Sequence, residues 1–518
     1  MSFELETESI RIYEPLKAAN VKAVIDTDII VPDTKPDVLN ILQVNALSSI
    51  SEKYIQKDSI SVSGFIDYTV LYSGGDDTIE VKSIRYKAPF TQQIDAVGIE
   101  DDMFNYVLSN VSHIEFHIQN SRKINVKSVV SFDTGVIGRT VASAVSSVTS
   151  EYQMPVKKDN IRVLNMAVCS DNKFYISDEL RFSGISGDIE ELLKSDIKLS
   201  GREIKTMNNK VVAKGSVIVD TLYTIDGDIY HMENEIPFTE VLDVDGITPE
   251  MHSEIKYNLC TAEYELVNTD EESYINFSGT IEVLIKAYEE NSYDVITDAY
   301  SPDYELEVSK KHFEIRRVDD TFANTFTVNE MLSLGESVPG IIKVYNLIVT
   351  PHIESTKASN GSGLVNGYLD TKLLYLSDSQ NLPVYSATKK IPFSFNIDNN
   401  NLTENSIIEA DVTLEHAGYV LKSEHDAEIR AAIKTSAKII SASSADIITD
   451  MNLDDEKPIQ KVNQPGIVIY FADDNETLWD IAKRYNTTTQ EIASVNGINE
   501  DEILNKRQQL LIPKRLVV

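Results

Sequence analysis

The sequence predicts a mainly β protein in which three tandem, similar β-rich domains precede a small strand–helix–helix–strand (βααβ) domain. Apolar and polar residues alternate along most of the chain, as in SIRIY and INVKSVV, a pattern that places one face of a strand on a core. A glycine–tyrosine segment recurs three times, whereas clear helical periodicity is confined to residues 474–499. The repeats predict the domain number, and the last stretch predicts the different C-terminal domain.

The composition limits the possible partners. The chain has 518 residues, with 82 acidic and 47 basic side chains and a formal net charge of −35. This charge repels phosphate backbones and anionic lipid headgroups, so we expect neither nucleic-acid binding nor direct membrane insertion. Cys169 and Cys260 form no CxxC motif, which predicts neither a disulfide framework nor a zinc site and fits a reducing compartment. The acidic N-terminus and the lack of long apolar runs predict no secretion signal and no membrane span.

The repeat is defined by the segments VSGFIDYTVLY, AKGSVIVDTLY and VNGYLDTKLLY. Their glycines, Gly64, Gly215 and Gly367, lie 151 and 152 residues apart, and their last tyrosines keep these intervals. A Pro-Phe pair follows each segment and is predicted to close a strand. We therefore predict β-sandwich or open-barrel domains at residues 8–150, 151–302 and 303–450, followed by a polar linker at 451–465.

Smaller elements are predicted at equivalent places in each copy. Hairpin turns are expected just after the repeated tyrosine, at residues 73–77, 225–228 and 377–381, which are rich in residues that tolerate positive φ. Short helices are expected at 36–42, 187–193 and 339–345. The repeated glycine is interpreted as a close approach of two strands and the tyrosine as a core anchor.

The repeats contain no motif typical of an enzyme. A nucleophile with its base, a set of metal ligands with the right spacing and a phosphate-binding glycine loop are all missing from the sequence. We therefore predict a non-enzymatic protein without a cofactor. The acidic string DTDIIVPDTKPD at 26–37 could bind calcium, but it lacks the spacing of an EF-hand, which favours a solvated acidic loop. A pocket with converging titratable groups would instead favour an enzyme.

The C-terminal segment predicts two short helices between two strands. Thr477 with Asp480, and Thr488 with Glu491, match the capping box that begins a helix. Apolar residues follow the helical stripe between these boxes, and Asn496-Gly497 is expected to end the second helix. Strands are predicted at 467–472 and 509–513, which gives a two-stranded sheet with both helices on one face.

These residues resemble a LysM domain, a module that usually binds glycans containing N-acetylglucosamine. The resemblance covers residues 466–514 and rests on the run Tyr470-x-Ala472, Thr477-Leu478-Trp479-x-Ile481-Ala482 and Gln508-x-Leu510-x-Ile512-Pro513. The three copies resemble SPOCS domains, and the whole order resembles the SipL-like family of spore coat morphogenetic proteins. This resemblance implies a scaffold in the mother-cell cytoplasm, at the forespore surface and in the spore coat. It also implies a SpoIVA-like coat basement protein and other coat proteins as partners.

The partner-binding prediction rests on the outer face of the small sheet. If Tyr470 and Ala472 face the helices, period-2 geometry turns Ile467, Ile469 and Phe471 outward, with Leu511 beside them. Exposed apolar patches of this kind are typical of protein interfaces, although a neighbouring domain could also cover this one. Two further residues complete the predicted surface, an aromatic anchor and a cation, namely Trp479 and Arg484.

The alternative prediction is a peptidoglycan-binding or N-acetylglucosamine-binding protein of the cortex or cell wall. Glycan-binding LysM domains usually have a glycine at the position of Asn475 and another at the position of Arg507, and both are replaced here. The replacements disfavour sugar binding. The residues that would carry it are Asn475, Glu476, Thr477, Asn496 and Gln508.

Overall fold

The computed structural model describes residues 3–75, 79–182, 189–269, 272–379, 383–459, 466–474, 476–500, 502–504 and 507–513. Each of the three copies contributes six strands in the same order. The first copy contains β1 (Phe3–Ile30), β2 (Val38–Gln56), β3 (Ser59–Gly74), β4 (Glu80–Asp95), β5 (Phe104–Asn120) and β6 (Lys123–Ser150). The second contains β7 (Val156–Arg181), β8 (Glu191–Met207), β9 (Lys210–Ile225), β10 (Asp228–Asp243), β11 (His252–Asn268) and β12 (Ser273–Ala299). The third contains β13 (Tyr304–Ser333), β14 (Ile341–Ser359), β15 (Ser362–Ser377), β16 (Val384–Asp398), β17 (Ile407–Leu421) and β18 (Asp426–Pro458).

Each copy is a sandwich of two three-stranded antiparallel sheets. In the first copy the sheet orders are β2-β3-β4 and β1-β6-β5, and the other two copies repeat both orders. Apolar side chains on the facing sides of the two sheets share one buried core in each copy. The prediction of mainly β repeats is thus confirmed, and it follows from the alternation of apolar and polar residues.

The repeated glycine has a direct cross-strand partner. Gly64 pairs with Phe90, Gly215 with Phe238 and Gly367 with Phe393. A Cβ atom at Gly64 would lie 2.9 Å from the Phe90 ring and 2.0 Å from the backbone oxygen of Ser49, so only glycine leaves room for the ring. The Pro-Phe pairs lie inside the edge strands β4, β10 and β16 and do not close a strand. An edge strand tolerates proline because its outward N–H is not needed for the ladder.

The repeated tyrosine anchors the segment before the second strand of its copy. Tyr72 and Tyr375 are fully buried, and their hydroxyls donate to the carbonyl oxygens of Pro36 (3.1 Å) and Pro339 (2.8 Å). Tyr223, the equivalent residue of the second copy, is also buried in its core, so the core role predicted for the tyrosine is confirmed in all three copies. The hydroxyl also fixes where the chain enters the sheet.

The short helices predicted at 36–42, 187–193 and 339–345 are wrong. The described residues of these segments form the last residues of a loop and the beginning of β2, β8 and β14. Each strand begins with irregular register, for example between Val38 and Asn40 and between Ile41 and Gln43. Such bulges interrupt the alternation of buried residues. The apolar spacing therefore imitates a helix in a segment that is extended; residues 187 and 188 lie outside the described part.

The predicted turn at 225–228 is confirmed as a two-residue hairpin. Ile225 pairs with Asp228, and both Asp226 (φ 50°) and Gly227 (φ 80°) adopt the left-handed conformation. This is the turn whose twist suits an antiparallel hairpin. The turns at 73–77 and 377–381 also connect paired strands, but residues 76–77 and 380–381 lie outside the described part.

Equivalent residues of the three copies meet around an approximate threefold axis. The strands β6, β12 and β18 each contact the other two. Ile10, Ile161 and Phe313, which occupy the same position in the three copies, share one buried cluster. A second cluster joins the first sheets of the copies through Leu42, Leu71, Val81, Leu193, Leu222, Ile229, Leu374 and Val384. The three copies therefore form a single body, which we call the repeat body.

The polar centre of this axis is a buried lysine. Lys194 is 1% exposed, and its ammonium donates to Gln43 Oε1 (2.8 Å), Asn346 Oδ1 (3.1 Å) and Asp196 Oδ2 (2.7 Å). Gln43, Lys194 and Asn346 occupy equivalent positions in the three copies. A buried ammonium is tolerated only when it is paired and hydrogen-bonded, so this contact depends on all three copies.

The C-terminal domain contains β19 (Ile467–Phe471), α1 (Leu478–Tyr485), α2 (Thr489–Asn496) and β20 (Gln509–Pro513). Both capping boxes are present, at Thr477 and Thr488, and Gly497 ends α2 with positive φ. The two strands pair antiparallel, with Ile469 opposite Leu511. The predicted βααβ order is confirmed. The predicted linker is corrected at its start, because residues 451–458 continue β18, while residues 460–465 lie outside the described part.

Candidate functional site

The outer face of the β19–β20 sheet is apolar and exposed. Ile467, Ile469 and Phe471 are 55%, 59% and 57% exposed, and Leu511 is half-buried beside Ile469. The inner face carries Ala472, Leu510 and Ile512, which are buried against the two helices. The structure thus places four predicted partner-binding side chains together on one surface, which we call the apolar face.

Arg484 is engaged within the domain. Its guanidinium donates to the Tyr470 hydroxyl (2.8 Å) and forms an ion pair with Glu476 (2.8 Å), and the Tyr470 hydroxyl in turn donates to Glu476 (2.7 Å). The hydrogen bond to Tyr470 and the charge of Glu476 raise the pKa of Arg484. Arg484, a predicted partner-binding cation in the last turn of α1, and Glu476, a predicted glycan-binding carboxylate just before α1, therefore neutralise each other.

The other predicted glycan-binding residues maintain the fold. Thr477 caps α1 by accepting a hydrogen bond from the Asp480 amide (3.2 Å). The Asn496 side chain donates to the Leu511 carbonyl (2.7 Å) and accepts from the Leu511 amide (2.7 Å). The backbone carbonyl of Gln508 accepts from the Ala472 amide (3.0 Å). Asn475 lies outside the described residues.

Trp479 lies at a junction between the C-terminal domain and the repeat body. Its indole N–H donates to Asp298 (2.9 Å), which also accepts from Lys483 (2.8 Å) and Lys310 (3.1 Å). The Trp479 ring meets the Tyr300 ring edge-on at 5.0 Å. The predicted interface anchor is thus used inside the chain, and part of its ring remains accessible.

Tyr300 completes the core of the C-terminal domain. It belongs to the repeat body, is 6% exposed and shares one buried cluster with Leu478, Ile481 and Ile492. Its hydroxyl donates to the carbonyl of Thr487 (2.9 Å). The two parts of the molecule therefore share a core as well as a set of polar contacts.

Asp298 is the charged centre of this junction. Burial opposes its ionisation, but the hydrogen bonds from Lys483, Trp479 and Lys310 outweigh burial and lower its pKa to about 2. A cleft of about 890 Å³ runs along the junction between α1 and the strands that follow Asp298. The carboxylate stays ionised at neutral pH and holds two lysines of different parts of the chain.

A larger cavity of about 1640 Å³ opens on the threefold axis. Asp220 and His231 line it and form an ion pair of 2.6 Å, and this hydrogen bond raises the pKa of His231. Asp220 also accepts from the Asn346 amide (3.1 Å). Asp220 therefore binds a histidine of its own copy and the side chain of Asn346 from the third copy, at an interface between domains.

The acidic string at 26–37 is matched by bases on β6. Lys123 and Lys127 pair with Asp28 and Asp26, and Asn125 donates to both carboxylates. Arg122 donates to backbone carbonyls of the loop and pairs with Asp33 and Asp37. The string is therefore an ion-paired segment more than a freely solvated loop. Among the described residues, no group of histidine, cysteine and acidic side chains is arranged to hold a metal.

The sequence reasoning missed Asp298, Tyr300 and Lys194. A signal exists for Tyr300 and Lys194, because each differs from its two repeat equivalents: Thr149 and Asn452 match Tyr300, and Gln43 and Asn346 match Lys194. Asp298 gives no such signal, because its equivalent in the third copy, Asp450, is also an aspartate. A residue that departs from an otherwise regular repeat marks a place where one copy does something the others do not.

Comparison with protein families agrees with this architecture. The SipL SPOCS domain matches residues 37–119, 188–267 and 340–422, and the LysM domain matches residues 474–513. The three SPOCS matches begin 151 and 152 residues apart and cover the second to fifth strands of each copy. No curated protein and no solved structure matched the chain.

The matched families bear on function at a coarse level. Both are non-catalytic domain families; SipL is connected with sporulation, and LysM domains with binding of cell-wall glycans. Within the described ranges, no helix has the length and apolar character needed to cross a bilayer. The chain thus carries three SipL SPOCS domains, each lengthened by its first and last strands, and a C-terminal LysM domain that shares its core with them.

Proposed function

We propose that this protein is a non-enzymatic spore coat morphogenetic scaffold. Its LysM domain docks a SpoIVA-like coat basement protein, and its repeat body binds other coat proteins as the coat assembles around the forespore. The domain content supports a role in sporulation. The partner and the location at the forespore surface follow from the resemblance described above and are part of the proposal.

One observation supports docking of a protein partner by the LysM domain. The sheet of this domain exposes an apolar face, while the predicted sugar-binding side chains are already hydrogen-bonded within the domain. Ile467, Ile469 and Phe471 are more than half exposed, whereas Glu476, Thr477 and Asn496 are each bonded inside the domain. Exposed contiguous apolar side chains favour a protein partner. A sugar needs free polar groups, which these residues do not offer.

The test uses the full chain and a purified SpoIVA-like protein. Ile467→Arg places a charge on the apolar face and is expected to weaken binding at least about tenfold, the effect of roughly 1.4 kcal/mol. Ile503→Arg is the matched control, because Ile503 is 89% exposed and lies in the same domain but outside the sheet. Equal binding by wild type and both variants would show that the apolar face does not dock the partner.

Trp479→Glu is expected to weaken docking by a different route. The change removes the indole hydrogen bond to Asp298 and places a second carboxylate beside it, so the LysM domain should separate from the repeat body. Far-UV circular dichroism should show the repeat body still folded.

Glycan binding is the second candidate function, because the LysM match favours it. The same full chain is titrated with chitin oligomers and mixed with purified peptidoglycan sacculi. Saturable binding to either, unaffected by Ile467→Arg, would support a protein of the cortex or cell wall.

A further inference from the structure

The strand β19 has one edge without a partner. In the described part of the chain it pairs only with β20. Antiparallel strands alternate between residues whose backbone groups face the partner and residues whose groups face away. Ala472 bonds to Gln508 and Arg507 through its own N–H and C=O, so every second residue before it, Tyr470 and Val468, faces β20 as well.

The intervening residues of β19 therefore direct their backbone groups to the free edge. Leu511 confirms the alternation, because both its N–H and its C=O are bonded to the Asn496 side chain and so face away from β19. Ile469 lies opposite Leu511. Its own N–H and C=O must then point away from β20, as must those of Ile467 and Phe471.

The two edges of this small sheet differ in whether their outward backbone groups are hydrogen-bonded. The β20 edge is closed at Leu511 by Asn496, and Pro513 has no N–H to offer. On the β19 edge, no hydrogen bond within the described residues uses the outward groups of Ile467, Ile469 or Phe471. Proteins usually protect an exposed edge with charges, proline or a covering loop. The β19 residues are instead apolar on the outer face.

We propose that the protein partner docks by adding a strand to the free edge of β19. The inference rests on the proposed docking function and gives its mode: backbone hydrogen bonds to Ile467, Ile469 and Phe471, with side chains of the added strand extending the apolar face. Strand addition obtains affinity from main-chain bonds and specificity from alternate side chains.

The chemistry of the added strand follows from the edge. Its residues next to Ile467, Ile469 and Phe471 are apolar at every second position, because they continue an exposed apolar surface. The residue beyond Phe471 faces the exposed Asp473 in a chain with a formal charge of −35. Charge complementarity therefore selects a basic side chain at that end. The occupant is thus an extended segment of a partner protein with alternating apolar residues and a basic end.

The experiment compares Ile469→Pro with Ile469→Ala in the full chain, with the purified SpoIVA-like protein as the probe. Both variants lose the isoleucine side chain, but only proline loses the outward N–H, and an edge strand tolerates proline at such a position. Strand addition predicts that the proline variant binds at least about tenfold more weakly than the alanine variant. The unfolding midpoint from Trp479 fluorescence checks that both LysM domains are folded.

Two results would overturn the inference. Equal weakening by proline and alanine would mean that the partner uses the apolar side chains but not the backbone edge, which leaves the proposed docking function intact. Wild-type binding by both variants would remove the docking face as well as the strand.

A second measurement covers a proline variant that fails to fold. Hydrogen exchange of the wild-type chain is compared with and without the partner. Strand addition predicts new protection at the amides of Ile467, Ile469 and Phe471, with little change at Val468 and Tyr470, which already face β20. Unchanged exchange at the three outward amides in the complex would contradict the proposal.

Discussion

The repeat body is held together by contacts between residues far apart in the chain, whereas the elements of the LysM domain are formed by contacts between residues close together in the chain. At the centre of the repeat body, Lys194 binds Gln43 and Asn346, which lie 151 and 152 residues away along the chain. In the LysM domain, each helix begins with a capping box between two residues that are three positions apart in the chain. The LysM domain nevertheless takes one core residue, Tyr300, from the repeat body. A domain whose elements are encoded locally can still depend on a distant residue for its stability.

The largest expected effect breaks the axis of the repeat body. Lys194→Met leaves Asp196 buried without its cation, and removing one partner of a buried pair costs about 3–5 kcal/mol of unfolding free energy. Denaturant unfolding followed by far-UV circular dichroism measures the change. Lys198→Met, in the same strand but partly exposed, is the control and should change stability by less than about 0.5 kcal/mol. Equal losses from the two variants would show that the axial contact is not special.

The next effect separates the LysM domain from the repeat body. Tyr300→Ala opens a cavity in the shared core and should lower the unfolding free energy of the LysM domain by about 3 kcal/mol. Tyr300→Phe removes only the hydrogen bond to Thr487 and should cost about 1 kcal/mol. Trp479 is the one tryptophan of the chain, so its fluorescence follows both the unfolding of this domain and its separation from the repeat body. A LysM domain that is as stable with alanine as with tyrosine would be an independent module.

The smallest expected effect comes from protonating Asp298 at the junction between the LysM domain and the repeat body. The pKa of Asp298 is lowered from 3.8 to about 2. Its contribution to holding the LysM domain against the repeat body is therefore complete above pH about 4 and is lost as pH falls through about 2. Trp479 fluorescence should change over this range in the wild type. In Asp298→Asn the transition should be missing, with a loss of about 1 kcal/mol or less at neutral pH, because the pair is partly exposed. Asp446→Asn, on an exposed carboxylate, should keep the wild-type transition.

Sequence reasoning predicted most features whose causes are close together in the chain. The caps at Thr477 and Thr488, the end of α2 at Gly497 and the outward positions of Ile467, Ile469 and Phe471 all follow from short-range periodicity and hydrogen bonding. The repeat period predicted three equivalent β units in the same way. Their packing explains it, since each glycine leaves room for a phenylalanine ring on the neighbouring strand.

The remaining features depend on register or on distant residues. The helices predicted at 36–42, 187–193 and 339–345 were wrong because bulges disturb the strand alternation there. The partner of Trp479 is 181 residues away, and no local pattern indicates it. The binding roles of the apolar face and of the sugar-loop residues stay predictions, since they depend on a second molecule.

The buried lysine on the axis has a consequence for how such a body could have arisen. An assembly of three separate identical chains would place three copies of the same side chain at this point, and three buried ammonium groups would repel one another. Joining the copies in one polypeptide lets a single cation sit between two neutral amides, Gln43 and Asn346. The same covalent fusion lets one copy alone carry Tyr300. A near-symmetrical body therefore offers the LysM domain one packing position and not three.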